Sequence, residues 1–285
     1  MLEFSSLIDA HFHLLDCSKN EDVFKMLNAL HWDKGIACCH SKEEFLETER
    51  LRDSCNIPGG KIFLSFGIHP WWPDKALISF LEELLVHKRI DCVGEAGFDF
   101  YSPELRKAEL LQEEVWASQL ELCIKYNKPL VIHERKALEK IFRYEEKLSK
   151  IPSILFHSFS GSNIEAESLL KKLPQSYFSL GKQLLNGSKK ALSCIKKLPL
   201  ENLLLETDAP FQVLKGESFT SVGAIKKVYS KAFEQRPELT AGQLEKNFSS
   251  FLNLSYKNPL SAKEKRKAAL RGKSVYKGLS QCPVV

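Results

Sequence analysis

Asp9-Ala-His-Phe-His13 reads as a short apolar strand closed by two histidines, and the same kind of ending returns four times along the chain. Val93-Gly-Glu-Ala-Gly97 carries Glu95, Leu130-Val-Ile-His133 ends in His133, Ile154-Leu-Phe-His157 in His157, and Leu203-Leu-Leu-Glu-Thr-Asp208 in Asp208. In a parallel barrel the C-terminal ends of the strands meet at one face, and catalytic groups come from several of them. Residues from His11 to Asp208 are therefore candidates for a single metal centre.

Working outward, eight strands are expected: Leu7–His11, Gly35–Cys39, Lys61–Phe66, Ile90–Glu95, Leu130–His133, Ser153–His157, Ser176–Leu180 and Asn202–Thr207. Several are unbroken apolar runs, as for strands covered on both faces. The stretches between them have helical spacing. In Glu104–Asn127, Leu111, Val115 and Leu122, with Trp116, Leu120 and Cys123, form a broad apolar stripe. Ser102-Pro103 suits an N-cap followed by proline at N1, and Pro129 stops the helix. This alternation predicts an α/β (β/α)8 TIM barrel with extra C-terminal helices. A doubly wound open sheet would gather ligands from few strands near one switch point. The barrel is assigned to residues 1–255, with a last helix at Gln243–Leu254, and residues 256–285 to a separate basic segment.

The chain has 285 residues, 44% hydrophobic, with no apolar run long enough to span a membrane. Its N-terminus lacks the basic and apolar stretches of a signal peptide, so a cytoplasmic protein without membrane contact is expected. None of the eight cysteines forms a C-x-x-C pair, which argues for buried thiols rather than a zinc finger or disulfide framework. The net charge of +5 is uneven. Lys257–Lys277 alone carries eight basic residues and one acidic, so the rest of the chain is close to neutral. Such a segment is read as a solvated tail, with attraction to a polyanion as the other reading.

Period two along a strand places His11 and His13 on one face with Asp9 below, and Ile8, Ala10 and Phe12 against the helices. Imidazole and carboxylate together suit Zn²⁺, Mn²⁺ or Fe²⁺, Mg²⁺ preferring oxygen, and a glutamate between two histidine groups can bridge two divalent metal ions. His11, His13, His69, His133 and His157 all end strands. His31 and His87 are read as surface or packing residues, and His40 as peripheral or, since it follows strand two, as able to face the site. Trp71 and Trp72 are expected to pack a loop at the barrel mouth, with stacking of one of them on a base as the other reading, and Lys182 to be exposed, with added positive potential near the site as the other reading. Ser158-Phe-Ser-Gly161 is read either as an ordinary turn or as an anion-binding nest of backbone N–H groups.

These motifs, together with Phe66-Gly-Ile-His-Pro70, Pro129-Leu-Val-Ile-His-Glu-Arg135 and Phe156-His-Ser-Phe-Ser-Gly161, resemble the TatD-type metal-dependent deoxyribonucleases. They follow in family order, and Gln112 and Gln119 also fit. The resemblance implies that His11, His13 and Asp208 hold one ion, His133 and His157 a second, and Glu95 bridges. It implies that Asp208 also orients or deprotonates the attacking water, making Asp208 and Glu95 the catalytic pair. It further implies that His69 contacts substrate. Arg135 could grip phosphate through its planar fork or serve a structural salt bridge. After Asp208 the chain departs from the family pattern, because Phe211–Gly223 lacks the usual polar Asn/Pro element.

The leading expectation is hydrolysis of DNA phosphodiesters, from 3′ ends or on single strands, by a monomer holding two divalent ions (Zn, Mn or Mg). An ester or amide hydrolase such as a D-aminoacyl-tRNA deacylase, with tRNA as partner, is the alternative within enzymes. A non-catalytic nucleic-acid-binding barrel is the alternative outside them.

Overall fold

The computed structural model describes residues 6–54, 57 and 60–254. The expected basic segment 256–285, with Cys282, lies outside the described residues, as does Cys55. Eight parallel strands run in sequence order: β1 Ile8–Phe12, β2 Lys34–Cys39, β3 Lys61–Phe66, β4 Cys92–Asp99, β5 Leu130–Arg135, β6 Ile154–Phe156, β7 Ser176–Leu180 and β8 Leu203–Leu205. The first and last strands meet beyond their regular ends, where Asp208 N donates to His11 O at 3.0 Å and His13 N to Ala209 O at 2.8 Å. Helices fill the connections, and the barrel expected from the alternation is the fold observed. Among the described residues no helix is long and apolar enough to cross a membrane.

The barrel interior is apolar at its base. Ile8, Ile36, Phe63, Cys92, Val131, Leu155 and Leu204, one from each of seven strands, form a single buried cluster. The last helix among the described residues, Ala241–Phe251, inserts Phe248 and Phe251 into that cluster. Its Asn247 Nδ2 donates to Leu200 O and Leu203 O, both at 2.7 Å, and Ser153 Oγ donates to Phe251 O. The strand starts are thus plugged, leaving the opposite face for chemistry.

Two strands change parity between base and mouth. The β1–β2 register shifts between Asp9 and Phe12, and the β4–β5 register between Val93 and Ala96. An extra residue in one strand flips which side chains face inward. So Ile8 and Ala10 belong to the interior cluster rather than to the helix layer expected for them, while His11 and His13 face inward above. Likewise Cys92 is inward at the base and Glu95 above it. Uninterrupted period-two reading misses this.

The helix expected over Glu104–Asn127 is two pieces, Pro103–Lys107 and Glu109–Tyr126, parted at Ala108. Ser102 caps the first, as expected, with its side chain accepting from Leu105 N. Leu111 is exposed, not part of the stripe, and Gln112 and Gln119 are buried instead. Gln112 Oε1 accepts from Asp99 N at 3.1 Å while its Nε2 donates to Asp99 O at 3.3 Å. Gln119 does the same for Ile68, at 2.8 and 3.2 Å. Two glutamines two turns apart therefore imitate a neighbouring strand. They satisfy the backbone just where β3 and β4 deliver His69 and Asp99.

Candidate metal centre

All six expected ligands converge at the mouth, around Glu95. Glu95 Oε1 lies 3.2 Å from His11 Nε2 and 3.6 Å from His13 Nε2, and Asp208 Oδ1 lies 3.6 and 3.4 Å from the same two nitrogens. The two nitrogens are 3.3 Å apart. Four ligands about 2.1 Å from a tetrahedral ion stand about 3.4 Å from one another, so this set has the spacing such an ion needs. On the other side, Glu95 Oε2 lies 2.5 Å from His157 Nε2 and 3.3 Å from His133 Nδ1, which are 3.2 Å apart. Each carboxylate oxygen thus faces its own group of imidazoles.

The ring nitrogens sort the histidines by role. His133 Nε2 lies 3.1 Å from Asp99 Oδ2, an acceptor only, so Nε2 donates and Nδ1 is left facing Glu95. A carboxylate behind an imidazole in this way fixes tautomer and ring orientation. Burial opposes charge on His133, but the bonds to Asp99 and Glu95 outweigh it and raise the ring to about 9. His69 is built the other way. Its Nδ1 accepts from Trp71 N at 3.1 Å, so the neutral ring carries its proton on Nε2. Burial, then the nearby His133, holds His69 neutral. His69 therefore turns a donor, not a lone pair, toward His133 Nδ1, 3.2 Å from its Nε2. Burial and the neighbouring His157 push His11 down to about 4, a neutral ring able to ligate. Burial disfavours charge on Glu95, yet His157 and His11 hold its carboxyl well below the usual range.

Two buried nitrogens, His13 Nδ1 and His157 Nδ1, have no hydrogen-bond partner among the described residues, the second lying 4.0 Å from Glu206 Oε1. Four imidazoles and two carboxylates pressed together with their lone pairs converging is a costly arrangement unless cations sit between them. The donor set of nitrogen and carboxylate oxygen fits divalent ions of the zinc or manganese kind.

The structure decides the readings made for several residues around this centre. His40, read as peripheral, lies with its Nε2 2.9 Å from Glu95 Oε1 and its ring between His13 and His69. Period two from Ile36 and Cys38 already put it on the inward face. Lys182, expected exposed, is 1% exposed; it pairs with Glu217 and donates to Thr220 Oγ1 at 2.7 Å, fastening the loop after β8. Trp71 does pack its loop, donating from Nε1 to Asp99 Oδ2 at 2.7 Å, but Trp72 is 64% exposed. In Ser158–Gly161 the Phe159 N–H is already given to Ser179 O, so the nest lacks one donor. A side chain at Gly161 would meet the Phe159 ring at 2.4 Å, which is why glycine stands there. Arg135, open between two readings, makes no ion pair among the described residues; its guanidinium lies 3.7 Å over the Tyr101 ring and lines the mouth.

Asp99 is the functional candidate that sequence reasoning quoted but did not assign. The mouth itself is a cavity of about 1270 Å³. Its lining includes the acidic Asp16, Glu43 and Glu47 as well as Arg135, Trp72 and Phe211.

The sequence pattern of the TatD related DNase family matches residues 8–253. The chain belongs to that family. An uncharacterized metal-dependent hydrolase of Buchnera aphidicola is 30% identical over 224 residues, 72% of this chain and 81% of that protein. A 3'-5' ssDNA/RNA exonuclease of Musicola paradisiaca is 29% identical over 164 residues, 53% of this chain and 58% of that one. A human 3'-5' RNA nuclease is 32% identical over 220 residues, 72% of this chain but only 28% of that protein. The crystal structure of a TatD homologue from Escherichia coli superposes with a TM-score of 0.76 at 24% identity, over 87% of this chain and 98% of that one, and shares the fold.

Proposed function

We propose that this TatD-family chain is a divalent-metal-dependent phosphodiesterase that cleaves DNA, working on single strands from the 3′ end. The observation that carries this reading is Glu95, buried and ionised, with Oε1 facing His11 and His13 and Oε2 facing His133 and His157. That division supports two ions bridged by one carboxylate, with Asp208 completing the first set. Two such ions, when bound, would supply an acidified water and offset charge on the phosphoryl oxygens. Relatives named as a 3'-5' ssDNA/RNA exonuclease and as a 3'-5' RNA nuclease support the substrate class.

The chain's own residues then take these roles. Asp208 orients the attacking water and receives its proton through a free lone pair of its carboxylate. His69 Nε2–H donates to a phosphoryl oxygen, and Asp99 keeps His133 in register. Asp16, Glu43 and Glu47 in the cavity lining repel a polyanion, and Arg135 in the same lining offers its fork to a flanking phosphate. Trp72 offers a face for a base, and stacking is tolerant of sequence.

The test is to strip the full chain of metal, reload it with Zn²⁺, Mn²⁺ or Mg²⁺, and supply 5′-labelled single-stranded DNA, duplex DNA, RNA and D-aminoacyl-tRNA. Stepwise shortening of single-stranded DNA from its 3′ end is expected. Deacylation alone, or binding without cleavage under every metal, would overturn the proposal.

A further inference from the structure

Asp208 is held from a direction that the metal set does not use. Its Oδ1 faces His11 and His13, while Oδ2 accepts a hydrogen bond from Gln212 Nε2 at 2.9 Å. The same Gln212 amide nitrogen donates to Ser158 Oγ. Both amide hydrogens are therefore committed, one to the carboxylate on the end of β8 and one to the loop that follows β6.

The backbone supports the same conclusion independently. Asp208, Gln212 and Ser158 have φ of 53°, 53° and 48°. All three lie in the left-handed region, where non-glycine residues are held only by their surroundings. Eight non-glycine residues have positive φ among the described residues, and three of them are this one hydrogen-bonded group. The loop that bears Gln212 is fastened further along by Lys182, which pairs with Glu217 and bonds Thr220. Glu217 in turn accepts from Leu214 N at 2.9 Å. This is also the segment where the chain leaves the family pattern.

We propose that Gln212 is a positioning residue for the metal centre: its amide clamps Asp208 Oδ2 to Ser158 and so keeps Oδ1 turned toward His11 and His13. A carboxylate oxygen has two lone pairs. Gln212 takes one on Oδ2, and the other stays open to the cavity that Gln212 also lines. Asp208 is thereby prevented from swinging to embrace an ion with both oxygens, and it offers the attacking water an acceptor of fixed direction. The proposal rests on reading Asp208 as a ligand, and its experiment records metal binding, which can fail separately from nuclease activity.

The decisive variant is Gln212→Met in the full chain, which keeps length and bulk but removes both donors. Co²⁺ is titrated into metal-free protein and followed by visible absorption and calorimetry, alongside kcat and KM on single-stranded DNA. Loss of an outer partner of a ligand costs about 10–100-fold in metal affinity or activity. One of the Co²⁺ binding steps should weaken by that factor, with an altered spectrum. A matching drop in kcat is expected, with KM within about twofold. Val213→Ala, at an exposed neighbour outside the machinery, should change none of these. If Gln212→Met fails to fold, Gln212→Gly removes the amide while relieving the left-handed backbone, and carries the same readouts. Unchanged Co²⁺ affinity and spectrum together with unchanged kcat in a folded variant would overturn the proposal.

Discussion

Replacing Glu95 by glutamine separates the two halves of the centre, because the amide keeps one oxygen and turns the other into an N–H donor. The wild-type carboxylate serves His11 and His13 through Oε1 at 3.2 and 3.6 Å, and His157 and His133 through Oε2 at 2.5 and 3.3 Å. Whichever way the amide turns, only one group of imidazoles keeps an oxygen partner. Metal content should fall from two ions per chain to one. Even a partner one shell further out costs about 10–100-fold. Removing a group that acts directly on developing charge costs about 10²–10³-fold. Turnover should therefore drop at least about 10³-fold, about 4 kcal/mol in the barrier. The side chain is buried and the replacement is isosteric, so circular dichroism should be unchanged. The assay pairs elemental analysis after equilibrium dialysis with single-turnover cleavage of labelled single-stranded DNA. Two retained ions with turnover within about tenfold of wild type would refute the division of labour assigned to the two oxygens.

Asp99→Ala removes the Oδ2 acceptor that Trp71 Nε1 and His133 Nε2 share and so no longer fixes the His133 tautomer; one metal-binding step should weaken by about 10–100-fold while the other holds, and equal weakening of both would contradict the triad. His69→Ala should leave both binding steps within about twofold and raise KM, since its Nε2 carries a proton rather than a lone pair; a lost ion would show that His69 ligates. Trp72→Ala should weaken single-strand binding by about 1–3 kcal/mol, read by fluorescence titration, with little change in kcat. Removing metal from the wild type should lower the melting temperature, because ions at about 100 times their Kd contribute about 2.7 kcal/mol per site; an unchanged melting curve would mean the imidazole cluster does not hold ions.

The barrel and the convergence of its strand ends were legible because both follow from period and spacing. Lys61–Phe66 and Ser176–Leu180 came out with the bounds observed, since each is an unbroken β-prone run between turn residues. The failures have particular causes. Ile8 and Ala10 were placed outside because one extra residue in β1 reverses parity, and nothing local to the sequence announces a bulge. Leu111 was placed in the core because composition hides that Gln112 and Gln119 are needed to close backbone bonds at Asp99 and Ile68. Lys182 was read as exposed because its partners Glu217 and Thr220 come from a distant loop. His40 was recoverable, since counting in twos from Ile36 reaches it. Gln212 was not, because its contact with Asp208 depends on a loop whose path only the folded chain defines.

Crystals of the full chain soaked with Mn²⁺, with anomalous differences recorded at the manganese edge, test the central claim most directly. The account predicts two peaks about 3.5–4 Å apart on either side of the Glu95 carboxylate, one against His11, His13 and Asp208 and the other against His133 and His157. A single peak, or peaks that do not share Glu95, would contradict it.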